Sequence, residues 1–147
     1  MATYSFLATV FSLIGPGGVV DLSAGAGIAE EGISFEPRSE INDMTIGAGG
    51  EVMHSLGADK SRVCKVVLLK TSAVNQQLQT MYNLQTATPS LHGNNIISGG
   101  NSLTKDSITC QNVAFKKGVP NGYATKGGTM EWLFDVGVFD QHLGGNV

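Results

Sequence analysis

The chain has 147 residues, of which 41% are hydrophobic, 14% are charged and 20 are glycine, and its formal net charge is −3. This apolar content excludes a disordered chain, which would have fewer apolar residues and a higher net charge. The charged fraction is well below the roughly 25% of an average soluble domain, so the composition favours a subunit covered by neighbours in an assembly.

The length and the N-terminal residues give two further expectations. A chain of this size fits one domain, so we expect a single domain over residues 1–147, with a short loose tail from about residue 141. No Lys or Arg precedes Arg38, whereas a secretory signal begins with basic residues. The glycine-rich residues 15–18 interrupt the apolar start, and a transmembrane helix needs about 20 apolar residues. We therefore expect neither a secretory signal nor a direct membrane anchor.

In chain order, most of the predicted elements are strands. Alternating or continuously apolar segments predict strands at residues 4–14, 19–22, 32–36, 43–47, 51–56, 62–70, 95–97, 107–116 and 129–138. The fourth and fifth of these flank Ala48-Gly49-Gly50, which is typical of a β-hairpin. Both faces of the first strand are largely apolar, so we expect both faces to be covered.

Two of the later strands have patterns that predict which residues face the core. The strand at 129–138 alternates most cleanly, and its predicted core face consists of Met130, Trp132, Phe134, Val136 and Val138. The strand at 107–116 is predicted to divide its apolar residues between two faces, with Ile108, Cys110 and Ala114 on one and Val113 and Phe115 on the other.

One helix is predicted over about residues 72–87. Its apolar stripe follows the i, i+4, i+7, i+8 spacing and consists of Val74, Leu78, Met81 and Tyr82. The opposite side is rich in glutamine and carries no charge, so it either faces solvent or packs on another subunit. The predicted fold class is therefore mainly β, a sandwich or barrel of about seven to nine strands with one flanking α-helix.

The charges are unevenly distributed along the chain. Residues 1–59 carry a net charge of −7, residues 60–126 carry +7, and the remainder carries −3. Folding either mixes these charges on one surface or gives the subunit an acidic and a basic side. A subunit of the second kind suits head-to-tail contacts between copies.

The sequence contains no catalytic or metal-binding motif. The three histidines, His54, His92 and His142, are far apart, and no CxxC or GxSxG sequence occurs. Cys64 and Cys110 lie within predicted strands, where buried and reduced thiols are expected. We therefore expect no enzymatic activity, no cofactor and no metal. A small β-barrel enzyme or ligand-binding module is the alternative from another functional class.

Several longer segments identify a family more specifically than these spacings do. They are residues 1–6 (MATYSF), 15–18 (GPGG), 30–37 (EEGISFEP), 42–47 (NDMTIG), 53–56 (MHSL), 69–72 (LKTS), 108–111 (ITCQ), 114–116 (AFK) and 132–135 (WLFD). Over most of residues 1–140 the chain resembles the tail tube protein of contractile-tailed bacteriophages, which is related in fold to the tube of type VI secretion systems. None of these segments is catalytic.

The resemblance implies a structural protein of the virion tail, assembled in the cytoplasm of the host bacterium. Its subunits would form hexameric rings that stack into a hollow tube and conduct phage DNA into the host cell. The implied partners are other copies of the chain and the tail sheath, tape measure and baseplate proteins, and DNA would pass through the lumen without sequence-specific binding. The alternatives are a secretion or extracellular contractile injection tube that carries protein effectors, or another phage tail or baseplate protein.

Two sets of candidate site residues follow from this reading. A conduit for DNA needs a wall without long basic rows, so acids on the polar strand faces are expected to line the bore. The candidate lumen-facing acids are Glu36, Glu51, Glu131 and Asp135. Opposite charges are expected to meet between stacked rings. The candidate inter-ring residues are Glu30, Glu31, Glu40, Asp59, Lys60, Arg62, Lys116 and Lys117.

Overall fold

The computed structural model of the chain describes residues 3–5, 8–22 and 28–144, except for the side chains of residues 28–31. Within these residues the chain forms nine strands and one α-helix. The strands are β1 (Thr9–Gly15), β2 (Gly18–Asp21), β3 (Ile28–Pro37), β4 (Asn42–Ile46), β5 (Val52–Leu56), β6 (Arg62–Leu69), β7 (Asn95–Asn101), β8 (Asp106–Phe115) and β9 (Thr129–His142). The helix α1 is Val74–Ala87, and a short 3₁₀ turn, Pro89–Leu91, follows it. The prediction of a mainly β fold with one helix is confirmed.

Seven of the strands form one large curled sheet, a half-barrel, in the order β2-β1-β7-β8-β9-β6-β3. All neighbouring strands in it are antiparallel. The predicted hairpin forms as well, since β4 and β5 pair separately from the sheet. We call this hairpin, residues 42–56, the arm. The arm connects β3, the edge strand, to β6, the strand beside it. It therefore extends from this side of the half-barrel.

The curl of the sheet is evident from aromatic contacts across its interior. Phe11 of β1 and Phe35 of β3 lie near opposite edges of the sheet, yet their ring centroids are 5.5 Å apart. Phe139 of β9 lies 5.6 Å from Phe35 on the other side. Such distances are typical of packed aromatic pairs, which add to the stability gained from burial. The sheet therefore encloses its core on a concave face and leaves a convex face outside.

Helix α1 covers part of this concave face, and buried polar pairs hold it at both ends. Near its start, the indole Nε1 of Trp132 donates to Oδ1 of Asn75 over 3.0 Å. Near its end, the amides of Gln85 and Asn95 exchange two hydrogen bonds of 2.7 and 2.8 Å. Buried amides are costly unless they are satisfied, so these pairs fix one position of the helix on the sheet.

The pattern of β8 differs from the prediction at one residue. Asn112 adopts a positive φ of 52°, a left-handed conformation that asparagine tolerates better than most residues. This conformation shifts by one residue the alternation of inward-facing and outward-facing side chains, so apolar residues before and after Asn112 face the same core. The buried residues of β8 are Ile108, Cys110, Val113 and Phe115. The prediction that Val113 and Phe115 face away from Ile108 and Cys110 is therefore wrong.

The neighbouring strand β9 shifts its alternation at the same level of the sheet. Gly137 lies beside Asn112. A Cβ atom added to Gly137 would be only 3.1 Å from the Cβ of Asn112, so a glycine allows this close approach. Beyond this point Phe139 packs against the core, whereas Val138 is 46% exposed. The predicted core face of β9 is confirmed for Trp132, Phe134 and Val136 and is wrong for Val138.

The ends of the chain's first and last strands also differ from the expected pattern. The structure begins β1 at Thr9 and buries only the face with Phe11 and Leu13, while Val10 and Ile14 are exposed on the convex face. At the other end, β9 continues through His142, and residues 145–147 lie outside the described part. The first apolar strand is thus covered on one face only within a single subunit.

The attachment of the helix gives a first testable prediction. Leu78 is fully buried between α1 and the sheet, so Leu78→Ala leaves a cavity and is expected to cost about 2–5 kcal/mol of unfolding free energy. Urea unfolding followed by the fluorescence of Trp132, the single tryptophan of the chain, measures this loss. The matched control is Gln77→Ala on the exposed side of the same helix, which is expected to change stability by less than about 0.5 kcal/mol. Equal losses in the two variants would contradict the packing described.

Candidate assembly surfaces

Metal ligands and nucleophilic thiols were the first candidates for a site among the described residues. Among them, no group of three or more His, Cys, Asp or Glu side chains is arranged to hold a metal ion. Cys64 and Cys110 are free and buried. Burial raises the pKa of Cys110 to about 12 and raises that of Cys64 further, so both thiols are protonated at neutral pH and poor nucleophiles. In the same part of the chain, no helix has the length and apolar character needed to cross a bilayer.

The arm is the first candidate surface, because all ten of its strand residues are exposed. Its register sorts the side chains onto two faces. One face carries Met44, Ile46, Val52 and Leu56, together with Asn42 and His54, which are hydrogen-bonded to each other. The other face carries Asp43, Thr45, Met53 and Ser55. An isolated two-stranded hairpin is marginally stable in water, so an arm with an uncovered apolar face is incomplete on its own.

A carboxylate fixes the root of the arm, where β3 leads into β4 and β5 leads into β6. Asp59 Oδ1 accepts hydrogen bonds from the backbone N–H of Ser61, over 3.0 Å, and from the Ser61 hydroxyl. Its Oδ2 accepts a hydrogen bond of 2.9 Å from the Ser39 hydroxyl on the other chain segment. We call this group the Asp59 bracket. These bonds, with the Ser61 side chain foremost, lower the pKa of Asp59 to about 2.

The structure brings together four of the eight candidate inter-ring residues at this root. Glu40, Asp59, Lys60 and Arg62 line an open cavity of about 990 Å³ between the arm and the sheet. The Arg62 guanidinium lies 4.5 Å from the ring centroid of Phe139 in the same cavity.

The other four candidates lie elsewhere. Glu30 and Glu31 belong to β3, but their side chains are outside the described residues. Lys116 and Lys117 follow the end of β8. Within the subunit, both oxygens of Asp59 accept hydrogen bonds at the root, so its carboxylate joins the two chain segments that lead into and out of the arm.

The candidate bore acids divide between the sheet and the arm. Glu36, Glu131 and Asp135 are on the convex face of β3 and β9, whereas Glu51 lies at the turn of the arm and accepts a hydrogen bond from the Gly49 N–H. Bases lie beside two of these acids. Lys65 Nζ is 3.4 Å from Glu131 Oε2. Asp135 Oδ1 is 3.6 Å from Lys116 Nζ and 4.0 Å from the Arg38 guanidinium. This half of the convex face, formed by β3, β6 and β9, therefore carries acids and bases in close to equal number.

The part of the convex face formed by β2, β1, β7 and the C-terminal end of β9 carries an apolar surface that the periodicity of the sequence does not reveal. Val19 of β2 pairs with Ile14 of β1, and Ile14 pairs with Ile96 of β7. Val138 of β9 is exposed on the same face. We call these four side chains the apolar stripe. Its only signal in the sequence is the second apolar face of the first strand.

A comparison with protein families decides what these surfaces belong to. Residues 1–144 match the family of the bacteriophage PhiTE tail tube protein. The chain belongs to this tail tube family. The resemblance recognised in the sequence is therefore confirmed, and the protein has a structural role in the phage tail, not an enzymatic one. A search among curated proteins found no match.

Solved structures support the same fold. One similar structure is described as the PVC sheath–tube complex of an extracellular contractile injection system in its extended state, with a TM-score of 0.54 and 10% identity over 90% of this chain and 88% of that chain. Another is described as the anti-feeding prophage cap, the AFP tube terminating cap, with a TM-score of 0.51 and 10% identity over 97% of this chain and 94% of that chain. At these identities the likeness concerns the fold.

The Asp59 bracket leads to a prediction about the mobility of the arm. Asp59→Ala removes the acceptor that joins Ser39 to Ser61, so the amides of residues 57–61 are expected to exchange with deuterium severalfold faster than in the wild type. The control is Glu40→Ala, which removes an exposed carboxylate of the same root and leaves the bracket intact. The same exchange rates at 57–61 in both variants would contradict a positioning role for Asp59.

The pH dependence of this effect provides a second readout of the same prediction. The pKa of Asp59 is below its ordinary value of 3.8, so its contribution is fully present above pH 3.8 and is lost as the pH falls through about 2. The difference in exchange between Asp59→Ala and the wild type is expected to be the same at pH 5 and pH 7 and to disappear near pH 2. A difference that disappears between pH 5 and pH 7 would assign the effect to another group.

Proposed function

We propose that this tail tube subunit forms hexameric rings, that the rings stack into a hollow tube, and that phage DNA passes through its lumen. The observation that carries the proposal is the uncovered apolar surface of the arm and of the convex sheet face in a member of a tail tube family. Exposed apolar patches of this kind mark interaction sites. In a tube, each subunit has copies beside it, above it and below it, which cover such surfaces.

Ring formation is supported by the open edges of the half-barrel. The sheet ends in β2 on one side and β3 on the other, and unpaired strand edges promote pairing with other chains. In a ring, the edge of one subunit meets the sheet of the next, and a sixfold rotation closes the series. The ring then buries backbone groups that a monomer exposes.

The partners of the proposed tube are those of a contractile tail. The similar structures are described as a sheath–tube complex and a tube terminating cap, which favours a sheath protein around this tube and a capping protein at its end. We extend the proposal to the tape measure and baseplate proteins, and to assembly in the cytoplasm of the host bacterium. The injection-system neighbours also make a protein-effector tube the second candidate function.

The half of the convex face formed by β3, β6 and β9 is the proposed wall of the lumen. Its acids, Glu36, Glu131 and Asp135, lie among bases, so the wall would be close to neutral in charge. A neutral wall suits a conduit, because rows of unpaired bases would retain DNA through its phosphates. Glu51 would reach the lumen only from the turn of the arm.

A tube of this design gives a prediction for electron microscopy. The purified protein is expected to form rings or tubes in moderate salt, with six subunits in each ring. In a reconstruction of the tube, Glu36, Glu131 and Asp135 are expected to face the lumen. A protein that remains a 15.3 kDa monomer at all concentrations would contradict the assembly. A bore lined by Lys70 or Lys117, with Glu36, Glu131 and Asp135 on the outside of the tube, would contradict the proposed wall.

The proposed stacking contacts give a prediction about salt and charge. We propose that acids of the root, such as Glu40, meet bases of the next ring, such as Lys116 and Lys117. Each exposed pair is worth about 0–1 kcal/mol, but every ring repeats it. The double substitution Lys116→Glu with Lys117→Glu is therefore expected to slow tube growth and to weaken its dependence on salt, as measured by light scattering.

The matched control for this experiment is Lys126→Glu, which reverses an exposed charge in the loop between β8 and β9. It is expected to leave growth close to that of the wild type. Equal effects of the control and the double substitution would make the charge blocks of the sequence incidental to stacking.

A further inference from the structure

We propose that the apolar face of the arm of one subunit lies on the apolar stripe of a second subunit. The proposal rests on the self-assembly proposed above and specifies which two surfaces meet. It concerns four side chains of the arm, Met44, Ile46, Val52 and Leu56, and the four side chains of the stripe, Ile14, Val19, Ile96 and Val138.

The arm presents an apolar surface that its own subunit does not cover. Its four apolar side chains are between 54% and 83% exposed. The opposite face of the arm carries polar residues, among them Asp43 and Thr45, so the arm is amphipathic. Burying the apolar face on another surface is worth roughly 25 cal/mol for each Å² removed from water. The polar face can remain in solvent when the apolar face is covered.

The stripe presents a second apolar surface on the convex face of the sheet. Its four side chains are between 42% and 67% exposed. They come from β2, β1, β7 and β9, and the exposed Gln111 of β8, which pairs with Val138, lies between the last two. The register aligns its first three members side by side, which makes the surface continuous across β2, β1 and β7.

The two surfaces match in length and in chemistry. Five adjacent strands at a spacing of about 4.8 Å extend over roughly 19 Å, and a five-residue strand of the arm extends over about 17 Å. Neither set of four side chains includes a charged residue, so the contact removes no charge from water. The flexible, unbranched side chain of Met44 can adapt to the branched side chains of the stripe.

The occupant is a second copy, because the arm of the same subunit does not reach the stripe. Both surfaces are exposed in the single subunit, so they do not cover each other within it. A subunit with one arm and one stripe makes a heterologous contact, in which every copy both gives and receives an arm.

Engineered cysteines test this contact in assembled tubes. Met44→Cys is combined in one chain with Ile14→Cys, Val19→Cys or Ile96→Cys, and a short bismaleimide links cysteines that lie close together. The native Cys64 and Cys110 are buried and protonated, so they do not compete. At least one combination is expected to give a ladder of linked subunits on a denaturing gel, because each link joins two copies.

The matched control replaces Met44→Cys by Met53→Cys, which is equally exposed but lies on the polar face of the arm. It is expected to give no ladder with the same three stripe positions. Tubes that form without a Met44 ladder, or with equal ladders from both positions, would overturn the arm–stripe contact and leave the tube itself intact. A ladder that requires added sheath protein would assign the stripe to the sheath and overturn it too. A wild-type protein that forms no tubes would instead contradict the proposed function.

A charge pair provides a second measurement if cysteines reduce assembly. Ile14→Lys places an uncompensated charge in the stripe and is expected to block tube growth. Adding Met44→Glu is expected to restore growth at least in part, whereas adding Met53→Glu is not. Rescue by both glutamates, or by neither, would contradict the proposed contact.

Discussion

One helix and the curl of the sheet bury the concave face of the seven strands and leave several large apolar side chains of the convex face exposed, and the rest of the molecule depends on this division. Inside, Phe11, Phe35 and Phe139 meet across the curl, and α1 is held against β9 and β7 by the buried amide pairs. Outside, no element among the described residues covers the apolar stripe or the apolar face of the arm. A subunit built in this way buries its core well and is nevertheless incomplete, which is the property expected of a tube component.

The convex face is divided into two regions with different chemistry. The half formed by β3, β6 and β9 carries acids beside bases, such as Glu131 beside Lys65, and remains compatible with water. The part formed by β2, β1, β7 and the C-terminal end of β9, where Val138 lies, carries the apolar stripe. The first region suits a wall that faces a lumen, and the second suits a contact between copies. The Asp59 bracket joins the two chain segments at the root of the arm, and we propose that it positions the arm for assembly.

The sequence predicts the elements of this fold better than it predicts its surfaces. The helix, the hairpin and the core face of Trp132, Phe134 and Val136 depend on local periodicity, and the structure contains all of them. Periodicity does not predict the shift at Asn112, because it does not reveal a single left-handed residue. The single-domain organisation and the loose C-terminal tail remain predictions.

The candidate site depends on tertiary contacts between distant residues, which explains why less of it was predictable. Ile14, Ile96 and Val138 become one surface only through the order of the strands. The basic block of the sequence and the acids of its last segment likewise meet on one face, because β6 and β9 are neighbours and bring Lys65 beside Glu131. The Asp59 bracket joins Ser39, which precedes the arm, to Asp59, which follows it, and no local sequence motif predicts this contact.

The most direct test of the central claim compares two methionines of the arm. Met44 on the apolar face and Met53 on the polar face are 55% and 58% exposed in the subunit, while Met81 is buried in the core. Hydrogen peroxide oxidises accessible methionines to sulfoxides, and mass spectrometry measures the extent at each position. Dissociated subunits are expected to react equally at Met44 and Met53, whereas assembled tubes are expected to protect Met44 more than Met53. Equal oxidation of the two residues in assembled tubes would contradict the claim that assembly covers the apolar surface that the fold leaves exposed.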